Sequence, residues 1–488
     1  MGPNWIHGTQ NNSILELVNA TGTLTHDWPE NQVAFGPSGT ALSPEDTVNS
    51  AELVWSLIGD AFKYSNESSA EIDEKLSLTD YIREHVEERV KGHLDTDLKG
   101  SEYDAEIQRR KDLVIKLAEL WGGFIGATTK QQSLKFLWLE ECLEGENLFC
   151  AGTYEKVLDV VSRPAVNGAV WKFGHIVNSI ASRPGENGGN VITLGTHDGF
   201  SEQFDEVIVT CPLGWLKRNK AVFHPELPPR INQAIDTLGY GNLDKVYITF
   251  PRAWWDQAED APSPAETTSQ KMTQAMPNVT ATSMPLKQST SASSNMSREE
   301  KKDHYASFTT FIAPDYAKET NPKSWYQDCI NLAALPKGAD HPTLLFYISG
   351  PTSDHIAKIL SKHQPSSASS KSSLALKAEL WRFFEPYVSR LPNYASDRSE
   401  CSPVDLLATG WTNDEFAGYG SYSNFPVGAV ECDKDIEAMR EGKGIVEKGI
   451  WLAGEHTAPF VASGTVTGAY WSGEKIAERV LGAWGLDS

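Results

Sequence analysis

Trp451-Leu-Ala-Gly-Glu-His-Thr-Ala-Pro-Phe-Val-Ala-Ser-Gly-Thr-Val-Thr-Gly-Ala-Tyr-Trp-Ser-Gly473 lies close to the C-terminus and carries more structural information than any other stretch. Ile450 to Ala453 is an apolar run of strand length, broken at Gly454. A loop then leads to Ser463-Gly464-Thr465, where a helix is expected to begin with Thr465 or Ser463 as its cap. From Val466 the apolar or small positions 466, 469, 470, 473, 476, 477, 480 and 481 follow a helical period, with Glu474, Lys475, Glu478 and Arg479 opposite. Gly468, Ala469 and Gly473 let a second backbone or a flat ligand come close. A strand, a glycine corner and a helix N-terminus together favour negative charge, because unpaired N–H groups and the helix dipole converge there. On geometry alone an ordinary buried strand–loop–helix corner fits as well.

The wording decides between them. Ala453-Gly-Glu-His-Thr followed by Gly464-Thr-Val-x-Gly-Ala-x-x-Ser-Gly resembles the C-terminal flavin motif of the FAD-dependent amine oxidases, polyamine oxidases above all. The resemblance implies FAD, with Gly454 and Glu455 against its ribityl-pyrophosphate region. It also implies that Gly464, Thr465 and Val466 face the N1–C2=O edge of the flavin.

The other end of the chain offers a second match. Met1-Gly-Pro-Asn-Trp-Ile-His-Gly8 reads by itself as a loop entering an amphipathic helix between Ser13 and Thr21. It resembles the Gly-Ala-x-Trp-Ile-His-Gly segment of polyamine oxidases, with Pro3 in place of the usual Ala. The resemblance lays Gly2, Pro3, Trp5 and Ile6 along the flavin and makes His7 a substrate-contacting, catalytic residue. Members of the family carry a Gly-x-Gly-x-x-Gly dinucleotide fingerprint before this segment. No such fingerprint occurs in these 488 residues, and the chain opens where that unit is expected to have ended.

Between the ends, residues 28 to 146 are mostly helical in pattern. A helix capped by Thr79 or Ser77 is expected over Leu76 to Val86, with further helical spacing from Leu113 to Trp121 and from Ser133 to Glu140. Gly152-Thr-Tyr154 is expected to open a helix running through Val160. Lys172 to Ile180 resembles the family strand whose backbone at Val177 reads adenine. Phe204 to Gly214, a strand ended by Pro212, matches the family's Asp-x-Val-Ile-Val-Thr-x-Pro-Leu-Gly almost verbatim, which makes Pro212 a cofactor contact. Lys245 borders the alternating strand Val246 to Phe250, where a surface lysine is unremarkable; the resemblance makes it the catalytic Lys that holds a water against flavin N5. His341 to Gly350 reads as a strand and Leu374 to Val388 as a helix.

Gly410 to Gly428 supplies the aromatic part of the site. It resembles the family's Trp-x-x-(Asn/Asp)-x-x-x-x-Gly-Ser-Tyr-Ser segment, with Trp411 packed by the flavin and Tyr422 walling the amine site. Aromatic faces suit amines through their negative quadrupole. Ser421 stands where members with covalent flavin carry Cys, so non-covalent FAD is implied. Thr465 stands where some relatives place a second aromatic-cage Tyr, which assigns it to substrate binding as well as to the cofactor.

These matches imply an α/β (α+β composite) fold of the FAD-linked reductase type with two domains. The Rossmann-like FAD domain comprises 1–27, 147–232 and 436–488, without its N-terminal βαβ unit. The substrate domain comprises 28–146 and 233–435, with a mixed sheet and helices. Residues 257–300 and 361–373 turn to Ser, Thr, Pro, Gln and Met and read as disordered insertions.

Bulk properties narrow the function class. The formal charge is 43 − 65 = −22, which argues against nucleic acid and suits a polycation such as a polyamine. The six cysteines are scattered without a Cys-x-x-Cys, so neither a disulfide framework nor a metal site is expected. With no apolar run of membrane-spanning length and no secretion signal in view, the expectation is a cytoplasmic enzyme. Its expected reaction is oxidation of a C–N bond of spermine, spermidine or their acetylated derivatives, with hydride transfer to flavin N5 and reduction of O2 to hydrogen peroxide. The alternatives are a non-catalytic remnant of the fold that acts through its surface, and a histone-lysine demethylase-like oxidase.

Overall fold

A computed structural model describes residues 2–28, 31–94, 97–186, 188–256, 304–363 and 374–486. The first expected insertion, 257–300, lies outside the described residues. So does most of the second. Its first residues, Ser361 and Lys362, instead form the last turn of the helix Gly350–Lys362.

The centre of the molecule is a six-stranded mixed sheet in the order Asp405–Ala408, Leu243–Thr249, Thr343–Ser349, Gln327–Asn331, Phe308–Phe311 and Gln32–Phe35. All neighbours are antiparallel except the last pair. Side chains of a strand alternate between faces, so register alone sorts the sheet into two sides. Val246, Ile248, Leu344, Phe346 and Cys329 point to one side, where they form a core with Ile356, Ile359, Leu380, Phe383, Phe384 and Tyr387 of the helices Gly350–Lys362 and Leu374–Val388. Lys245, Tyr347, Asp328 and Thr310 are register partners on the opposite side. Along the same side lie Tyr247, Leu345, Ile330 and Phe308, covered by Trp5, Trp28 and Phe149.

The helices Pro44–Ser68, Leu78–His93 and Ser101–Leu117 make a separate core through Leu53, Val54, Leu57, Ile82, Val86 and Val114. Leu78–His93 starts where the sequence places it. Ser77 and Asp80 form a reciprocal cap in which each side chain accepts from the other's backbone N–H. The spacing from Ser133 to Glu140 yields only a short 3-10 turn, Leu137–Glu140. Ser65 and Ser69 take the Lys135 carbonyl, and Ser133 pairs with Phe425 instead of continuing a helix.

A third core surrounds the parallel pair Val207–Val209 and Ile450–Leu452 and the four-stranded sheet of Ser201–Phe204, Asn190–Thr196, Val177–Pro184 and Phe223–His224. The expected strand from Lys172 begins only at Val177, and the one from Phe204 is confined to Val207–Val209. The helix expected from Gly152 starts at Glu155 and runs past Val160 and through Pro164 to Gly168.

The C-terminal helix, Val466–Ala483, is capped by Thr465, whose hydroxyl accepts from the Gly468 N–H. Its buried face differs from the expected one. Thr467, Gly468, Ser472 and Ile476 are buried, whereas Ala469, Gly473, Ala477 and Leu481 are exposed. Polar anchors set this rotation: Thr467 Oγ1 donates to Asn12 Oδ1 at 3.0 Å, and Ser472 Oγ accepts from the Gly454 N–H at 2.9 Å. Gly468 sits so tightly against Ala458 and the Ala462 carbonyl that a Cβ has no room there, while nothing lies within 4 Å of a Cβ on Gly473.

Candidate active site

The two chain ends meet. The helix Ser13–Ala20 packs on Val466–Ala483, joined by Asn12–Thr467 and by Trp471 Nε1 donating to Ser13 Oγ at 3.0 Å. Ile6, Ile14, Val18 and Cys150 share one apolar cluster with Val466 and Tyr470. Asn12 also donates to the carbonyls of His7 and Gly8, which ties the His7 turn to the start of the C-terminal helix. Gly8, at φ 75°, lies against Leu143 without space for a side chain.

Lys245 joins this assembly from the central sheet. It is inside the strand, not beside it, and only 3% exposed, which overturns the surface reading. Its ammonium donates to the Gly2 carbonyl at 2.6 Å and to Asn4 Oδ1, which also accepts from the Tyr347 hydroxyl at 2.9 Å. The rings of Tyr347 and Trp411 stand 5.0 and 5.9 Å from Nζ. Burial, with no carboxylate partner among the described residues, pulls the Lys245 pKa down to about 7. Gly2 and Pro3 are exposed at the start of this segment, and Trp5 is half-buried with its ring 5.2 Å from Phe149.

Trp411 is held from the same strand by a residue that sequence reasoning passed over. Asp244, 1% exposed, accepts from Thr409 Oγ1 at 2.6 Å, the Trp411 N–H at 3.0 Å, Thr412 Oγ1 at 2.7 Å and Ser353 Oγ at 2.8 Å. Thr409 in turn accepts from the Lys245 N–H at 2.9 Å. One buried carboxylate thus fixes both the Trp411 turn and the Lys245 strand. Its position next to Lys245 is visible in the sequence, but its partners from 353 and 409–412 are not.

On the other side, Tyr422 donates to the Phe124 carbonyl at 2.6 Å. Gly464 packs against the Tyr422 ring. Glu455 Oε2 accepts from Ser423 Oγ at 2.6 Å and from the Gly464 N–H at 3.2 Å, while Oε1 accepts from the Ser423 N–H at 3.1 Å. Burial raises its pKa, and these Ser423 and Gly464 donors oppose the rise. The N–H groups of Val466 and Thr467 have no hydrogen-bond partner among the described residues, which leaves the helix end free to donate.

His7, Glu140, Cys142, Tyr347, Tyr422 and Glu455 are each partly buried. Burial lowers the His7 pKa against a hydrogen bond with Asn147, so the ring is neutral, and its Nδ1 is buried without a partner. Burial pushes Glu140 up to about 8 and the Cys142 thiol up to about 12, so both are uncharged near neutral pH. The 140–147 loop had no role in the sequence reading. It reaches the site by accepting at Glu144 O from the amides of Thr9 and Gln10, at 3.0 and 2.9 Å.

Val177 and Pro212 stand apart from the Lys245 group. Val177 opens its strand at the edge of the core around Val207–Val209, and Pro212 precedes the helix Leu213–Arg218. No hydrogen bond among the described residues links either to Lys245, His7 or Tyr422.

The family model for flavin containing amine oxidoreductases matches residues 1–334 and 371–481. The chain belongs to that family. Among curated proteins, Probable polyamine oxidase 4 of Arabidopsis thaliana is 24% identical over 272 residues, 53% of this chain and 50% of that protein. Lysine-specific histone demethylase 1 homolog 2 of Oryza sativa subsp. japonica is 39% identical over 75 residues, 15% of this chain and 10% of the relative. The chain spans about half the length of the polyamine oxidases it matches. Among solved structures, cyclohexylamine oxidase from Brevibacterium oxydans IH-35A superposes with a TM-score of 0.55 at 14% identity, covering 99% of this chain and 87% of that one. The fold is therefore the mixed α/β amine oxidase fold, and family membership implies FAD as cofactor. The residues present fit such a group: amides without partners among the described residues stand at a helix N-terminus beside Gly464, which packs against Tyr422, and the Trp411 ring stands 5.9 Å from Lys245 Nζ.

Proposed function

We propose that the protein is an FAD-dependent amine oxidase acting on polyamines. The observation that carries the reading is the convergence of Lys245 with the His7-bearing segment, both chain ends and the Trp411–Tyr347 rings. Bound FAD, held non-covalently, supplies the hydride acceptor and passes the electrons to O2, giving hydrogen peroxide. The relatives named polyamine oxidase support the substrate class, as does a net charge of −22.

The chain's own residues have separable tasks. Glu455, Gly464, Thr465 and Val466, with Gly2 to Ile6, form the cofactor side; Val177 and Pro212 complete it toward the adenine end. The free amides of Val466 and Thr467 stabilise negative charge on the ligand edge they face. Tyr422, Tyr347 and Trp411 offer aromatic faces to the amine. Loss of hydride from carbon requires the nitrogen lone pair, so the amine must react uncharged, and an enclosed apolar site disfavours the ammonium. Neutral His7 orients the amine or takes its proton. Lys245 holds a water beside the reacting carbon, with Asn4 and the Gly2 carbonyl fixing its Nζ.

The test is direct. Protein purified with added FAD should be yellow and should release peroxide from spermine or an acetylated derivative. Yellow protein that is inert to every polyamine but active on a methylated lysine peptide would replace this substrate class with that of the demethylase-named relatives.

A further inference from the structure

The side of the central sheet that carries Lys245 also carries a carboxylate to which nothing above assigns a role. Lys245 faces Tyr347 across the Leu243–Thr249/Thr343–Ser349 pair, Tyr347 faces Asp328, and Asp328 faces Thr310. Directly opposed residues share a face, so these four side chains form one polar row. With neighbouring strands about 4.8 Å apart, Asp328 stands roughly 10 Å from Lys245, with Tyr347 between them. The row runs between two packed regions: the cluster of Trp5, Phe149 and Leu345, and the helical core that Ala34 and Tyr326 join.

Asp328 has few partners for a carboxylate so enclosed. Thr310 Oγ1 donates at a long 3.4 Å, the Cys329 amide leans on it, and no ion pair reaches it among the described residues. Burial accordingly raises its pKa to about 6. It nonetheless keeps accessible surface, as Tyr326 and Tyr347 do. The other enclosed carboxylates are less available. Glu455 is engaged by Ser423 and Gly464, and Glu140 Oε1 is sealed from solvent.

We propose that Asp328 anchors a second, non-reacting ammonium of the substrate, so that the site selects amines with a free far nitrogen over the same chain acetylated at that nitrogen. The inference rests on the amine-oxidase reading and adds the residue that sets substrate length and charge. Tyr347 forms the floor between the reacting end and the anchor, and Thr310 and Tyr326 flank the anchor. An entering ammonium supplies the cation that Asp328 lacks, so its desolvation is offset on binding and not in the free protein.

Binding and turnover are measured separately on FAD-supplemented protein, with a linear diamine and its far-end N-acetyl derivative as probes. By calorimetry, wild type should bind the diamine at least about tenfold more tightly than the acetylated amine. Asp328→Asn should abolish that preference while leaving affinity for the acetylated amine and the melting temperature nearly unchanged. Asp328→Glu should retain it. A preference that survives Asp328→Asn, or wild type that fails to bind the diamine, overturns the anchor. Preference present without peroxide release leaves the anchor standing and removes the oxidase reading; peroxide release with the preference unmoved by Asp328→Asn does the reverse.

Discussion

At the scale of single residues, Lys245 and Asp244 pull in different directions although they are neighbours. Lys245 is buried without a counter-charge among the described residues, and its folded pKa of about 7 lies below the ordinary lysine value of 10.5. Between those values the unfolded chain binds more protons than the folded one, so stability rises with pH across this window; below about 7 the full cost of burying the charge is present. Replacing Lys245 by Met removes that slope. From pH 7 to 9, denaturant melts should show wild type gaining about 2 kcal/mol relative to Lys245→Met. The same substitution should lower kcat on the order of 10²-fold or more, measured by peroxide release, because a positioned proton-handling group is lost. Asp244 is the opposite case, a buried carboxylate fully met by donors from Thr409, Trp411, Thr412 and Ser353. Asp244→Asn turns an amide N–H₂ toward some of those donors and should cost about 1–3 kcal/mol in the same melts. An Asp244→Asn protein as stable as wild type would show that this network does not hold the Trp411 turn.

At the scale of elements, the C-terminal helix shows what a sequence does and does not disclose. Its start at Thr465–Val466 was legible because a capping residue, a glycine and a periodic apolar run coincide. Its buried face was not, since Thr467 and Ser472 turn inward to meet Asn12 and Gly454, and side-chain partners 455 and 18 residues away leave no periodic trace. Leu374–Val388 was legible because Leu376, Leu380, Phe383, Phe384 and Tyr387 recur on one face at helical spacing. Ser133–Glu140 shows the reverse: good helical spacing lost to tertiary bonds with Ser65, Ser69 and Phe425. The site residues named from motifs were mostly brought together, but Asp244, Asn4, Tyr347, Glu140 and Asp328 carry no motif and emerge only from register and packing. Two glycines of the helix provide a paired test. Gly468→Ala should destabilise by about 1–3 kcal/mol through overpacking against Ala458 and Ala462. Gly473→Ala, with open space around it, should stabilise by about 0.5–1 kcal/mol through helix propensity. Equal effects in thermal melts would mean that the helix is rotated from the orientation described.

At the scale of the whole molecule, hydrogen bonds gather the segments 2–12, 140–147, 244–245, 347, 411–423 and 455–467 into one assembly. All six cysteines are free thiols, so non-covalent packing alone joins these segments. Among the described residues no helix is long and apolar enough to cross a membrane. A field from a net charge of −22 should draw in polycations, so kcat/KM for spermine should fall several-fold as ionic strength rises from about 0.02 to 0.3 M. A singly charged amine should be affected much less; equal salt dependence would assign no role to that field.

The central claim is that Lys245, the His7 segment and the C-terminal helix surround one flavin and deliver an amine to it. Anaerobic mixing of FAD-loaded protein with spermine, followed by the visible flavin absorption, tests it most directly. Rapid bleaching in wild type, at least about a hundredfold slower in Lys245→Met, is the predicted result. Flavin that binds yet stays fully oxidised with every amine offered, or bleaches at the same rate in both proteins, would contradict the claim.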